Sequence, residues 1–522
     1  MRGLRQWGTC AILTLVSGLA AFAQDEVKID SGSLHGVSQD GVVSFKGIPF
    51  AAPPVGNLRW KPPQPVQPWT GVRPAASFGA DCMQAPWEPE GYRIVTTPSE
   101  DCLFINVWTP SITATPKLPV MVWIYGGAYT NGGGSVPAYD GSQFAKLGVV
   151  LVSFNYRLGR FGFFGHPALT AESPNGPLGN YGFMDQIAAL KWVQQNISAF
   201  GGDPKRVTLF GESAGGGSVL AMMTSPLAQG LFQQAIIESA PARGPEWAQL
   251  KGKGSIFKQT GESAGLGFAK SKGISGTDAA ALDALRKLPP DAVVDGLNMM
   301  TMFQAIKTYA GPMIDGVVVV EFADAAFLAG HQAKIPVIAG ATNRDLGFNL
   351  AQTMPQVLAP FGFNQFKAYA AYDPTHSNNV KVVGAAVASD KLLVEPMRFV
   401  VRQVAASGQP AYEYRFSYVR VSDRATVDGA GHASELPFVF DTVKPLFGDK
   451  LSPSDSSMGA TMIGYWSSFA KTGNPNGEGR PNWPAYSQQA DILLDFTDNG
   501  AASGPDPWKT RLDLTEKTAG HP

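Results

Sequence analysis

Residues 206–225 read RVTLFGESAGGGSVLAMMTS. The first five are β-branched and apolar after Arg206, as in a buried strand, and the run from Gly216 onward has the composition of a helix. Between them lies G-E-S-A-G, with Gly211 and Gly215 on either side of Ser213. A strand entering a helix through so short a turn strains its central residue, and only neighbours without side chains leave room for it. The turn lifts the Ser213 hydroxyl clear of the strand, while the helix N-terminus beyond it favours developing negative charge. G-x-S-x-G in a strand–turn–helix setting marks a nucleophilic serine. The five residues alone are a weak signal in a chain with 59 Gly, so the flanking elements have to carry the reading.

Further runs support them. LPVMVWIY (118–125), GVVLVSFNY (148–156) and KIPVIAGAT (334–342) are nearly continuous apolar stretches, the pattern of parallel strands covered on both faces. YEYRFSY (412–418) alternates more and is expected nearer a sheet edge. In GFMDQIAALKWVQQNISAF (182–200), Phe183, Ile187, Leu190, Val193 or Gln194, and Ile197 recur at helical spacing, which predicts an amphipathic helix with one buried stripe. Asp185 near its start suits the helix dipole, and Gly201-Gly202 end it. Strands alternating with helices predict an α/β fold with a mostly parallel central sheet flanked by helices. No Ser/Gly linker, charge block or repeat divides the 522 residues, so residues 24–522 are expected to form a single domain with large loop and helix insertions. In such sheets, sites sit at the carboxyl ends of strands.

The composition excludes several roles. A net charge of −1 gives no electrostatic footprint for nucleic acid, and no basic amphipathic helix marks a membrane surface. Residues 1–23 have a different character. Arg2 and Arg5 precede a mostly apolar Cys10–Ala20 run, and Ala21-Phe22-Ala23 is a small-x-small site. That is a secretory signal peptide cleaved after Ala23, giving a secreted or periplasmic protein. The run is shorter than the ~20 residues a spanning helix needs, so no stable membrane anchor is expected. Cys82 and Cys102 remain in the mature chain. Outside the cytosol they can form one disulfide, worth about 3 kcal/mol for a loop of this size, or stay as two buried thiols. No clustered His/Cys spacing points to a metal, and no cofactor is implied.

A serine nucleophile needs donors for the oxyanion formed at a carbonyl. VMVWIY runs into GGAYTNGGG (126–134), which leaves backbone amides exposed at a strand end. A phosphate loop would continue with Lys-Ser/Thr, whereas Ser135-Val136 follow here. The base would be one of His35, His166, His331, His376, His432 and His521. His432, in DGAGHASELPFVF, lies on a small-residue loop; its local setting alone suits a structural role as well as a catalytic one.

Taken together, the segments resemble the type-B carboxylesterase family, the group containing carboxylesterases and cholinesterases. The resemblance is carried by FGGDPKRVTLFGESAG (200–215), EDCLFINVWTP (100–110), VSFKGIPFAAPPVGNLRWKPPQP (43–65), NYRLGRFGFF (155–164), GNYGFMDQIAALKWVQQNISAFGGDP (179–204) and GAGHASELPFVF (429–440). It runs from about Val27 to the C-terminal region and implies an α/β-hydrolase fold. It also implies Ser213 as nucleophile, His432 as general base, the amides of Gly127, Ala128 and Ala214 as oxyanion donors, and a Cys82–Cys102 disulfide. Ala128 stands where the family usually has Gly, and Tyr129 where it usually has Phe.

The acid departs from the family pattern. Family members carry N-x-D-E-G, with the Glu as acid; this chain has Asn343-Arg344-Asp345-Leu346-Gly347. Leu346 cannot accept an imidazole N–H. Asp345 is the nearest replacement, and its shorter, shifted side chain requires a re-formed turn with Arg344 swung outwards. The pattern ordinarily carries an Asp beside the Glu, so the presence of Asp345 is not itself a sign of recruitment. Asp390 and Glu435 are the other carboxylates to weigh.

The implied activity is hydrolysis of a small-molecule carboxylic ester through an acyl-enzyme on Ser213. A non-catalytic binding module on the same fold, and an amidase or acyltransferase using the same site, are the alternatives. Tyr92 stands where cholinesterases place their choline-binding Trp, and the segment between Cys82 and Cys102 is shorter than theirs, which argues against choline esters. The Met-rich NMMTMF (298–303) is expected in core or lid packing rather than in an acyl pocket. Oligomeric state is not readable from the chain.

Overall fold

The structure is a computed structural model. It describes residues 25–87, 91–243, 247–252, 259–347 and 349–519. The expected signal peptide and His521 lie outside the described residues.

An eleven-stranded sheet organises the chain. In chain order its strands are β1 (Val37–Gln39), β2 (Val42–Pro49), β3 (Phe104–Thr109), β4 (Leu118–Ile124), β5 (Val150–Phe154), β6 (Gly202–Glu212), β7 (Gln234–Glu238), β8 (Val337–Thr342), β9 (Ala411–Phe416), β10 (Ile492–Thr497) and β11 (Gly500–Pro505). In space they run β1-β2-β3-β5-β4-β6-β7-β8-β9-β10-β11. All pairings from β5 to β10 are parallel. The outer pairings on both sides are antiparallel. β4 and β5 are apolar and wholly buried apart from half-buried Leu118, as strands covered on both faces must be.

YEYRFSY lies third from one edge of the sheet, yet it is not exposed. β9 is buried along its whole length and pairs with β8 on one side and β10 on the other. Tyr414 and Phe416 pack against Phe496, and Tyr414 also against Trp466 of helix Pro453–Thr472. On the opposite face, Arg415 meets Asp506 through two bonds of 2.9 and 3.0 Å. Arg415 is therefore a partner in a buried ion pair, not a residue of a solvent-facing edge.

Helix Tyr181–Asn196 forms where its periodicity places it, but its burial is nearly all-round rather than one stripe. Asp185 is fully buried and takes Arg157 as a bidentate partner at 2.8 and 2.7 Å, as well as the Arg157 amide at 3.0 Å. It lies past the first turn of the helix, so its role is to neutralise a buried guanidinium and not to suit the dipole. A short 3₁₀ turn, Ile197–Phe200, follows and ends at left-handed Gly201 (φ 84°). Met300, Phe303 and Ile306 of the Met-rich region are exposed, at 65%, 67% and 60%. That stretch is a surface turn, with Met302 packed against the main core.

Between β8 and β9 the chain inserts helices Met354–Leu358, Gln365–Tyr372, Val380–Ser389 and Glu395–Ala406. Part of this insertion has its own small apolar core around Phe361, Tyr372 and Val387. Cys82 and Cys102 are joined as a disulfide. Among the described residues, no helix is long and apolar enough to cross a membrane.

Removing one partner of a buried pair leaves an uncompensated charge. Asp185→Ala is therefore expected to lower unfolding free energy by about 3–5 kcal/mol, read from denaturant melts beside wild type. A loss below about 1 kcal/mol would show that Arg157 finds another partner.

Candidate active site

The glycines of G-E-S-A-G are required by close approach. A Cβ on Gly215 would lie 2.0 Å from the Ile124 carbonyl oxygen, and one on Gly211 would lie 2.6 Å from the Gly215 backbone. β6 and β4 can meet at this point only without side chains. Ser213 sits in the turn at φ 56°, ψ −122°, directly before helix Ala214–Thr224. Its amide donates to the Glu238 carbonyl at 2.9 Å.

The loop after β9 brings His432 to this serine. Nε2 of His432 lies 2.9 Å from Ser213 Oγ, and Nδ1 lies 2.6 Å from Asp345 Oδ1. Asp345, three residues past the end of β8, has a fully buried side chain. Its Oδ2 accepts from Ser239 Oγ at 2.6 Å and from the Thr342 amide at 3.2 Å, and its Oδ1 accepts from the Leu346 amide at 2.8 Å. Arg344 turns away, to Asp428 at 2.9 Å. Ser213, His432 and Asp345 are thus brought into one hydrogen-bonded line at the carboxyl ends of β6, β9 and β8.

The Gly-rich turn after β4 lies against the serine. A Cβ on Gly126 would fall 3.0 Å from Ser213 Cβ. Gly127, Ala128 and Tyr129 have φ of 104°, 54° and 60°, and the amides of Thr130 and Asn131 each donate to the Gly127 carbonyl at 3.0 Å. Ala128 keeps its left-handed conformation despite its methyl group, which costs about 1–2 kcal/mol. Ala214 opens its helix, where an amide has no intrahelical acceptor.

The other carboxylate candidates do not reach the imidazole. Asp390 is bound to Arg511 and Tyr372. Glu435 is buried three residues past His432, and burial together with the charges of Glu212 and Glu238 pushes its carboxyl far up. Among the other described histidines, His166 caps helix Pro167–Glu172 and His331 pairs with Glu321. Among the described residues, no group of three or more His, Cys, Asp or Glu is arranged to hold a metal.

Residue-by-residue reading missed two participants. Ser239 follows β7 at φ 46° and holds the far oxygen of Asp345; the strand-end logic applied to Ser213 would have found it. Glu212 Oε1 lies 3.1 Å from His432 Nε2, and its signal was its place beside Ser213. Burial opposes charge on His432, but Glu212 and Asp345 outweigh it and raise the imidazole to about 9. Burial raises Glu212 to about 7 against the pull of His432, and Glu238 to about 8. For Asp345, burial is outweighed by the imidazole and by the Ser239 and Leu346 donors, so its carboxyl lies below the usual range.

The carboxylesterase family model matches residues 23–512. The chain belongs to the carboxylesterase family. It is 37% identical to a fumonisin B1 esterase of Sphingopyxis macrogoltabida, over 91% of this chain and 87% of that protein. It is 36% identical to the para-nitrobenzyl esterase of Bacillus subtilis (strain 168), over 89% and 93%. A solved PNB esterase structure superposes with a TM-score of 0.78 at 31% identity, covering 96% of this chain and all of that one. This carboxylesterase is a carboxylic-ester hydrolase with the α/β-hydrolase fold.

An anionic Glu212 favours the imidazolium form of His432, so neutralising it makes the ring easier to deprotonate. Glu212→Gln is expected to move the His432 titration to lower pH, followed by imidazole NMR. A midpoint that stays in place would mean that Asp345 alone sets it.

Proposed function

We propose that this carboxylesterase is an exported serine esterase in which Ser213 is the nucleophile, His432 the general base and Asp345 the orienting acid. The observation that carries the reading is the continuous hydrogen-bonded line Asp345–His432–Ser213, with the Gly126–Ala128 turn lying over the serine. His432 takes the Ser213 proton as Oγ attacks the ester carbonyl. The amides of Gly127, Ala128 and Ala214 stabilise the oxyanion. The imidazolium then protonates the leaving alcohol, and water activated by the same ring releases the acid. Asp345 holds Nδ1–H and stabilises the charge that forms on the ring.

The site asks for no metal or organic group in these steps. The substrates are small-molecule esters, whether aryl, short-chain alkyl or larger natural-product esters. Choline esters are disfavoured because Tyr92 stands where cholinesterases place their choline-binding Trp and the segment between Cys82 and Cys102 is shorter than theirs. Export rests on the signal pattern of residues 1–23, and the Cys82–Cys102 disulfide suits an oxidising compartment.

The reading is tested by p-nitrophenyl ester hydrolysis with wild type, Ser213→Ala and Asp345→Asn. Ser213→Ala is expected to be inert. Asp345→Asn is expected to lower kcat by about 10³–10⁴ while the fold survives. A nearly silent Asp345→Asn removes Asp345 from the mechanism. A wild type inert on several acyl lengths, and not labelled by a phosphonate, turns the reading to a binding module. Matched amide substrates separate esterase from amidase. Intact mass of the exported protein is expected to start at Gln24.

A further inference from the structure

The residue after His432 is strained. Ala433 has φ 63°, a left-handed conformation that a residue with a Cβ adopts only when its surroundings hold it there. Packing does not supply all of that hold. A Cβ on Gly431 would meet nothing within 4 Å, and a cavity of about 420 Å³ borders the loop at Gly429–Gly431 and Ser434. Hydrogen bonds do the rest. The loop's start is tied to the acid's turn through Asn343 Oδ1, which accepts from the Ala430 amide at 2.8 Å, and through the Arg344 amide, which donates to the Ala430 carbonyl at 2.9 Å. Beyond His432, the Ala433 carbonyl accepts from the Leu436 amide at 3.2 Å and from the Tyr92 hydroxyl at 2.5 Å.

Tyr92 reaches Ala433 from 341 residues away in sequence, on the segment closed by Cys82–Cys102. The same segment grips the Gly-rich turn. Gln84 exchanges bonds with the Gly132 amide and carbonyl at 3.0 and 2.7 Å, and Asn131 donates to the Ala85 carbonyl at 2.9 Å. Ser135 Oγ accepts from the Val95 amide at 3.0 Å. One disulfide-closed segment therefore holds both the turn over Ser213 and the turn that presents the imidazole.

We infer that Tyr92 is a positioning residue: its hydroxyl, anchored on the disulfide-closed segment, holds the strained Ala433 turn so that His432 Nε2 stays in line with Ser213. This inference rests on the catalytic reading of Ser213 and His432. It assigns Tyr92 a task that a cation-binding aromatic at this position would not perform, because the task belongs to the hydroxyl and not to the ring.

The test is Tyr92→Phe, which keeps the ring and removes the donor. The kcat for p-nitrophenyl ester and the rate of Ser213 labelling by a fluorophosphonate are expected to fall together by about 10- to 100-fold, the scale of a small misplacement of a catalytic group. KM is expected to change by less than about threefold, since ground-state binding is untouched. Glycine occupies φ 63° without strain, so in an Ala433→Gly background the same substitution should cost markedly less. Full kcat and labelling in Tyr92→Phe, with Ser213→Ala inert, overturns the inference and leaves the esterase reading standing. If Tyr92→Phe also destabilises the fold, the Ala433→Gly background decides: an undiminished loss there overturns the inference, and a diminished one supports it. A wild type that neither turns over ester nor takes the phosphonate overturns the esterase reading, and this inference with it.

Discussion

Where helix Ala214–Thr224 meets the end of β4, a single methyl group on Gly215 would end 2.0 Å from the Ile124 oxygen. That steric limit fixes much of the site. It lets helix Ala214–Thr224 start against the end of β4, so the Gly-rich turn that leaves β4 lies beside Ser213 instead of a side chain's width away. It also obliges Ser213 to take a backbone conformation few residues adopt. The neighbouring strand helps to hold it there, through the Glu238 carbonyl that accepts the Ser213 amide. The serine and the turn above it are therefore set by backbone packing of the sheet, before any polar side chain contributes.

The acid is solved differently. Relative to the family pattern, Asp345 is one residue early and one methylene short, and both differences withdraw the carboxylate from the histidine. Asn343 and the Arg344 backbone clamp Ala430 from both sides, two residues before His432, so the imidazole is delivered to the acid's turn. Arg344 spends its charge on exposed Asp428, which keeps a guanidinium from competing for Asp345. Ser239 fixes the far carboxylate oxygen, leaving Oδ1 for the ring.

Much of this was legible in the chain. The near-continuous apolar runs identify the parallel strands because burial on both faces leaves no room for alternation, and G-E-S-A-G between strand and helix identifies the strained turn at Ser213 because the geometry needs its glycines. YEYRFSY misled for a physical reason. Alternation marks solvent exposure only when the polar positions lack partners, and the partner of Arg415 is Asp506, 91 residues on. The helix at 181–196 misled similarly, since Arg157 lets Asp185 be buried on what reads as a polar face. The links from Ser239 to Asp345 and from Tyr92 to Ala433 span 106 and 341 residues. Local pattern carries no trace of such contacts.

Four buried acids near the site lie close enough to act on one another, and their surroundings sort them. Glu212, Glu238 and Glu435 are raised, with burial as the leading cause in each. Asp345 is equally buried and yet lowered. The difference is the imidazole charge beside Asp345 together with its donors: the ring, Ser239 and the Leu346 amide, all of which favour the carboxylate over the acid form. Glu435 has the same burial without that set of donors, and charging it beside two other glutamates is costly. An acid that is to stabilise an imidazolium must itself stay ionised while hidden from water. Proximity in sequence to His432 would have favoured Glu435. Contact with the imidazole and a full set of donors favour Asp345, and together they decide which buried carboxylate can keep its charge.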